Sequence, residues 1–310
     1  MIPEQSFGGV IPPLTTPLTL DGDVDTTSLE SLCEFLLAAD VDGLFVGGSS
    51  GEVALLSDTQ RATTIEVAVA VAGGRVPVVA GVIDTGTTRV IDHAMTAAKH
   101  GASAVVSTGP FYVAPHPDEV IRHFQLLHAA VDIPVIAYDI PSATHTRLPG
   151  AVVADLAAAG TIVGLKDSSG DLTSFRQILD ATAGTGLRVF TGSETVTDLA
   201  LQLGAHGQVP GLGNVDPDGY VRLGRAAAAG DWATAAVEQR RLLRVFGIVD
   251  VADRTRIGFT AGALGAFKAA QYLRGVIASP RCADPLLPLV DAEIGVIRDI
   301  LIREDIPVYR

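Results

Sequence analysis

Thr161-Ile-Val-Gly-Leu-Lys166-Asp-Ser-Ser-Gly170 carries the pattern from which the rest of the chain can be read. It reads as a short apolar strand, Ile162 to Leu165, ending on Lys166. A polar turn follows, and a helix opens near Asp171. The chain has only three lysines, Lys99, Lys166 and Lys268. Lys99 ends an Ala-rich helical run just before Gly101, where a cation suits the carbonyl end of a helix. Lys268 lies in the helical pattern Ala266-Phe-Lys-Ala-Ala-Gln-Tyr-Leu273. Only Lys166 ends an apolar β-run. Apolar surroundings disfavour the charged form of an amine, and a neutral amine attacks a ketone to form a Schiff base. The plainer reading is a surface lysine in a strand-to-helix loop, and position alone leaves both open.

The same strand–turn–helix unit recurs along the chain. Apolar runs at Gly9–Leu14, Gly43–Val46, Val76–Ala80, Ala104–Ser107, Val135–Tyr138, Ile162–Lys166, Arg188–Thr191 and Gly207–Val209 predict strands. Helical patterns follow at Thr27–Ala39, Asp58–Ala72, Thr87–Lys99, Pro117–Ala130, Pro149–Ala158, Leu172–Ala183, Thr195–Leu203 and Pro217–Ala229. Runs apolar at nearly every position suit parallel strands buried on both faces. Eight such units predict a closed (β/α)8 barrel, a TIM barrel of the α/β class, over residues 1–230. An open doubly wound sheet competes, but the first turn, Pro12-Pro13-Leu14-Thr15-Thr16-Pro17, lacks the glycines of a dinucleotide loop. After Gly230 the alternation stops. Residues 231–310 predict a C-terminal three-helix domain at Trp232–Phe246, Gly258–Arg274 and Leu289–Glu304, with Trp232 buried against the barrel.

Composition narrows the partners. The net charge is −13, from 22 basic and 35 acidic residues, which argues against nucleic acid and anionic membrane surfaces. No apolar run approaches the roughly 20 residues that cross a bilayer. Met1-Ile-Pro-Glu-Gln5 lacks the basic and apolar segments of a signal peptide. Two cysteines, Cys33 and Cys282, require no disulfide and fit a reducing cytoplasm.

Catalytic groups of such barrels sit at the carboxyl ends of strands. Gly47-Gly48-Ser49-Ser50-Gly51 ends the second strand. It presents clustered backbone N–H groups that suit a carboxylate or phosphate, or it is simply a tight turn. It is no Walker loop, because no Gly-Lys-Ser/Thr follows. Tyr112 and Tyr138 follow strands four and five. A phenol beside an iminium can shuttle the protons of Schiff-base chemistry; a tyrosine packed at the barrel mouth is the other reading. Gly192 and Glu194 end strand seven, and Val209 ends strand eight. His145 and Arg147 follow strand five, placed either to reach a substrate or simply on a loop. The seven histidines show no metal-ligand spacing and read as surface residues.

Taken together, Gly48-Ser-Ser-Gly-Glu52, Gly109-Pro-Phe-Tyr112, Tyr138-Asp-Ile-Pro141 and Gly164-Leu-Lys-Asp167 resemble the dihydrodipicolinate synthase / N-acetylneuraminate lyase family. The likeness extends through Gly204-Ala-His-Gly207, Gly211-Leu-Gly-Asn214 and the tail pattern from Lys268 to Pro288. The resemblance implies a barrel with a C-terminal helical domain, a homotetramer built as a dimer of dimers, and no metal or organic cofactor. It implies a Schiff base between Lys166 and pyruvate or another 2-oxo acid, with an aldehyde as second substrate. Tyr138 would relay protons near the substrate carboxylate. Ser49 and Ser50, with Gly48, would hold that carboxylate, and Ser50 would also link the tyrosines. Tyr112 would complete the relay from a neighbouring subunit. Gly192, Glu194 and Val209 would border the substrate.

Three departures set the substrate. The synthases carry an arginine, where this chain has Ala143, to grip the second substrate's carboxylate, and a methyl group cannot replace that clamp. Ser49-Ser50 stands for the usual threonine pair. The sialate lyases' acidic pair at strand seven is reduced to Glu194. The expectation is therefore a lyase: an aldolase for a 2-oxo-3-deoxy sugar acid or other 4-hydroxy-2-oxo acid. The alternatives are a 4-hydroxy-tetrahydrodipicolinate synthase, with Arg147 or another group as the clamp, and a 2-oxo-acid dehydratase. Two further readings compete from other classes. A non-catalytic binder would have no use for Lys166, Tyr138 and Tyr112, and a phosphate-binding isomerase would leave Lys166 idle.

Overall fold

The computed structural model describes residues 7–310; the signal-peptide reading of Met1–Gln5 lies outside them. Eight strands alternate with helices: β1 Gly9–Val10, α1 Thr26–Ala38, β2 Leu44–Val46, α2 Asp58–Ala72, β3 Val78–Gly81, α3 Thr87–Lys99, β4 Ala104–Ser107, α4 Pro117–Ala130 and β5 Val135–Asp139. After β5 a short helix, α5 Pro141–Thr144, precedes α6 Gly150–Ala158. Then come β6 Gly164–Asp167, α7 Leu172–Ala181, β7 Arg188–Thr191, α8 Thr197–Leu203, β8 Gly207–Gln208 and α9 Pro217–Ala228. Three further helices complete the chain: α10 Trp232–Phe246, α11 Phe259–Leu273 and α12 Asp291–Arg303.

The strands pair in parallel in the order β1-β8-β7-β6-β5-β4-β3-β2. The ring closes beyond β1. Pro13 bridges Phe45 in parallel, the Leu14 N–H donates to the Phe45 carbonyl at 2.8 Å, and the Phe45 N–H donates to Pro12 at 3.1 Å. The first strand is shorter than its apolar run predicts because Pro12 and Pro13 have no N–H to offer a ladder.

Two apolar layers result. Phe7, Ile11, Phe45, Val79, Val106, Ile136, Phe190 and Val209 belong to a cluster filling the barrel. A larger cluster lies between strands and helices. Asp25, Asp171, Asp216 and Asp231 cap α1, α7, α9 and α10 by accepting first-turn N–H groups, which fixes where each helix starts. The C-terminal helices are joined to the barrel by polar contacts. Gln239 donates to the Glu194 carbonyl at 2.8 Å, and Arg241 pairs with the buried Asp216. Trp232 is only half-buried, contrary to expectation. It lines a cleft with Gly9, Pro77 and Gly207 at the amino-terminal end of the strands.

Candidate active site

Strand alternation sorts the ends of β5 and β6 into two kinds of side chain. Tyr138 is in register with Lys166, and Asp139 with Asp167. Tyr138 and Lys166 turn into the barrel. The Lys166 Nζ lies 4.1 Å from the Tyr138 ring centroid and 5.1 Å from that of Phe45. Lys166 is 5% exposed and Tyr138 2%. Asp139 turns the other way, to accept from Arg147 Nε at 3.0 Å and from the Leu148 N–H at 3.0 Å. Burial raises the pKa of Asp139, and these two donors partly offset that.

The lysine stands at the floor of a cavity of about 310 Å³ at the carboxyl ends of the strands. Ser49, Ser50, Tyr138, Gly192, Glu194 and Val209 all line it. Gly48 sits just behind, buried beneath Ser49, where a Cβ would meet the Phe45 ring at 2.9 Å. Gly192 leaves room for Ser168 and Lys166: a Cβ there would lie 2.1 Å from Ser168 Oγ and 3.0 Å from Lys166 Cε.

The glycine-rich turn is open toward the cavity. Gly47 has φ +66, which reverses the chain as it leaves β2. Gly51 and Glu52 donate back to Gly48 and Ser49 at 3.0 and 3.1 Å. The N–H groups of Gly48, Ser49 and Ser50 donate to no acceptor among the described residues. Three consecutive free amides form an anion nest. Ser49 Oγ lies 3.4 Å from Tyr138 Oη, so Ser49 rather than Ser50 is the hydroxyl that meets the buried phenol.

Glu194 is half-buried as a residue, but its carboxyl faces inward and accepts the Leu212 N–H at 3.1 Å. Burial raises its pKa; the Leu212 amide, the positive charge of Lys166 and the Gly211 amide pull the other way. Among the described residues, Lys166 and Glu194 are the only charged side chains lining the cavity. Hydroxyls from Ser142, Ser168, Ser169, Ser193 and Thr195 supply the rest of the polar surface.

Other residues lie away from the cavity. Tyr112 is 96% exposed outside its own chain's cavity, with φ +75, a backbone conformation rare for an aromatic residue. Arg147 does not enter either; besides Asp139 it holds Ser174 Oγ at 3.1 Å. Asn214 and Thr144, beside the site, make internal hydrogen bonds. Asn214 ties Pro13 and Gly211 together, and the Thr144 hydroxyl donates to the Ile140 and Thr146 carbonyls. His123 is not a surface residue. It is 1% exposed between Thr87 and Ser107, and burial lowers its pKa to about 4. No group of three His, Cys, Asp or Glu among the described residues is placed to hold a metal ion, and no described helix is long and apolar enough to cross a membrane.

Sequence reasoning missed the apolar side of the cavity, which comes from the C-terminal helices: Phe246, Val249, Phe259, Ala263 and Phe267. It also missed that Lys268 is fully buried against Glu52. A lysine flanked by Ala266, Phe267, Ala269 and Ala270 was the available signal, since a cation in so apolar a run needs a buried carboxylate.

Comparison with known proteins agrees with this geometry. The family model described as "Dihydrodipicolinate synthetase family" matches residues 6–302. The 4-hydroxy-tetrahydrodipicolinate synthase of an Anaeromyxobacter species is 31% identical over 94% of this chain and 95% of that protein. That of Methanosarcina barkeri is 34% identical over 74% of this chain and 78% of its own length. Among solved structures, a prophage protein of the dihydrodipicolinic acid synthase family from E. coli K12, in complex with pyruvate, superposes with a TM-score of 0.90 at 29% identity, covering 97% of this chain and 99% of that one. Dihydrodipicolinate synthase from Bacteroides thetaiotaomicron gives 0.89 at 32%, covering 96% and 98%. A barrel carrying a buried lysine beside an anion turn, matched along nearly its whole length, belongs to the dihydrodipicolinate synthetase family of lyases and aldolases.

Proposed function

We propose that the protein is a class I aldolase in which Lys166 condenses with pyruvate or a 4-hydroxy-2-oxo acid. The observation that carries this reading is the Lys166 amine, buried between two aromatic rings at the floor of a cavity whose wall is an anion nest. The substrate carboxylate sits on the Gly48, Ser49 and Ser50 amides, which fixes C2 over the amine. The amine adds to C2; a proton passed through Tyr138 leaves with the carbonyl oxygen as water, giving the iminium. In cleavage, the C4 hydroxyl gives its proton to the Tyr138 phenoxide left by iminium formation, and the C3–C4 bond breaks. Its electron pair moves into the iminium to form the enamine, and the aldehyde departs. The enamine takes a proton on C3 from Tyr138, and water hydrolyses the iminium to return pyruvate and the free amine, the released proton going back to Tyr138. No cofactor enters these steps.

The remaining wall favours a hydroxylated aldehyde, hence a 2-oxo-3-deoxy sugar acid. Ser142, Ser168, Ser169, Ser193 and Thr195 suit hydroxyl groups, and Glu194 accepts from them. A second carboxylate would find no cation in this wall, because Ala143 is a methyl group and Arg147 is engaged by Asp139. The exposed, strained Tyr112 suits a homotetramer in which it reaches the cavity of a second copy. Two buried free thiols suit a reducing cytoplasm.

The other reading is 4-hydroxy-tetrahydrodipicolinate synthase, favoured by the names of the relatives. A substrate panel separates the two. Pyruvate release from 2-oxo-3-deoxy acids, with no cyclised product from aspartate semialdehyde and pyruvate, is expected. Robust cyclised product from the semialdehyde would overturn the aldolase reading.

A further inference from the structure

Building on that reading, we infer that Lys268 is a positioning residue: its buried ion pair with Glu52 holds the free amides of the Gly48–Ser50 turn in place for the carboxylate of the 2-oxo acid. Both side chains are 0% exposed. Lys268 Nζ meets one Glu52 oxygen and donates to the Arg281 carbonyl at 2.7 Å; the Ala283 N–H donates to the other oxygen. Glu52 is the residue directly after the glycine-rich turn and has φ +60, a left-handed conformation that a non-glycine residue holds only when its surroundings fix it. The turn is therefore tethered at its exit by two contacts from the C-terminal part of the chain, the Lys268 ammonium and the Ala283 N–H, with Lys268 itself held by the Arg281 carbonyl. A third comes from Thr16, whose hydroxyl donates to the Gly51 carbonyl at 2.8 Å.

A buried ion pair is a poor way to gain stability. Its desolvation roughly cancels its attraction, and apolar residues of similar volume serve as well. What it does supply is directionality. Here the direction matters, because the amides it orients are the ones left without an acceptor. Lys268 also follows Phe267, which lines the same cavity, so α11 sets both the apolar wall and the anion turn. Lys268 itself cannot serve as a second imine-forming amine, since its nitrogen is enclosed and paired.

The test uses Lys268→Met, and follows the pyruvate concentration that gives half-maximal borohydride trapping, alongside amide hydrogen exchange of residues 47–53. We expect the half-saturating concentration to rise about tenfold or more, as loss of an aligned hydrogen bond to a charged group would give. Trapping at saturation should still reach one adduct per chain, and exchange of the turn should quicken. The charge-neutral Glu52→Gln/Lys268→Met pair and the milder Thr16→Val are read in the same way. They carry the test if the single variant does not fold, and Thr16→Val should give a smaller rise, about threefold. A lower melting temperature with unchanged half-saturation and unchanged turn exchange in the folded variants would overturn the inference and leave Lys268 a purely structural residue. If the wild-type protein traps no pyruvate, the proposed function fails, and the exchange of the turn alone then decides the role of Lys268.

Discussion

The Lys166 Nζ lies 4.1 Å from the centre of the Tyr138 ring, across a register that pairs these two residues directly on neighbouring strands. The ring face shields one side of the amine, while the phenol oxygen points on toward Ser49. Tyr138→Phe keeps the shield and removes the hydroxyl. We expect kcat to fall about 10²- to 10³-fold, the range for losing a proton relay. Trapping of pyruvate on Lys166 should become slower yet still reach completion. Steady-state rates and a trapping time course check this; an unchanged kcat would remove Tyr138 from the proton path.

Ser49→Ala removes the hydroxyl that stands between the anion nest and the phenol. A hydrogen bond to a charged group contributes about 1.5–3 kcal/mol. KM for the 2-oxo acid should rise roughly 10- to 100-fold. Ser50→Ala should raise KM less, because no side-chain hydrogen bond joins Ser50 to Tyr138. Initial rates over a range of substrate concentrations distinguish the two variants.

Gly192→Ala places a methyl group where Ser168 Oγ and Lys166 Cε now pass. The closer obstacle, the serine hydroxyl at 2.1 Å, can rotate away; Lys166 Cε at 3.0 Å must then shift, and the nearby Phe45 and Tyr138 rings limit where it can go. Overpacking of this kind costs about 1–3 kcal/mol. Catalysis should fall further than stability, because the displaced atom is one bond from the reacting nitrogen. Equal losses in thermal denaturation and activity would argue against this.

His123 makes stability depend on pH. Its folded pKa is lowered to about 4 by burial, against an ordinary value of 6.5. Above pH 6.5 both states are neutral and the residue contributes nothing to the dependence. As pH falls below 6.5, the unfolded chain takes the proton first, so stability declines until about pH 4. The loss amounts to roughly 3 kcal/mol. Among the described residues, the polar side chains hydrogen-bonded to it are the hydroxyls of Thr87 and Ser107, with no carboxylate among them to offset the charge. His123→Gln should lack this component. Denaturant unfolding of both proteins at about pH 7 and pH 4.5 measures it, and parallel declines would contradict it.

The barrel was legible because buried parallel strands leave an unbroken apolar signal. Ala104–Ser107 and Arg188–Thr191 match their predicted bounds, as do Asp58–Ala72 and Thr87–Lys99. Ends drifted where proline intervened, at Pro12-Pro13 and before Val78. The candidate site was legible where it lies on strand ends, since alternation dictates which side chains face inward. Its other half was not. Phe246, Phe259 and Phe267 carry no local mark of a cavity wall, because their place depends on how the C-terminal helices pack over the barrel. The sequence leaves Arg147 open between a substrate contact and a loop position; Asp139, facing outward on β5, holds it away from the cavity.

The central claim rests on a single amine and is tested by trapping. The protein is incubated with pyruvate, reduced with borohydride, weighed and digested. We expect one adduct per chain, heavier by one pyruvic acid less an oxygen atom, located on Lys166 and absent from Lys166→Ala. An unmodified chain, or an adduct on Lys99 or Lys268 with Lys166 intact, would contradict the account.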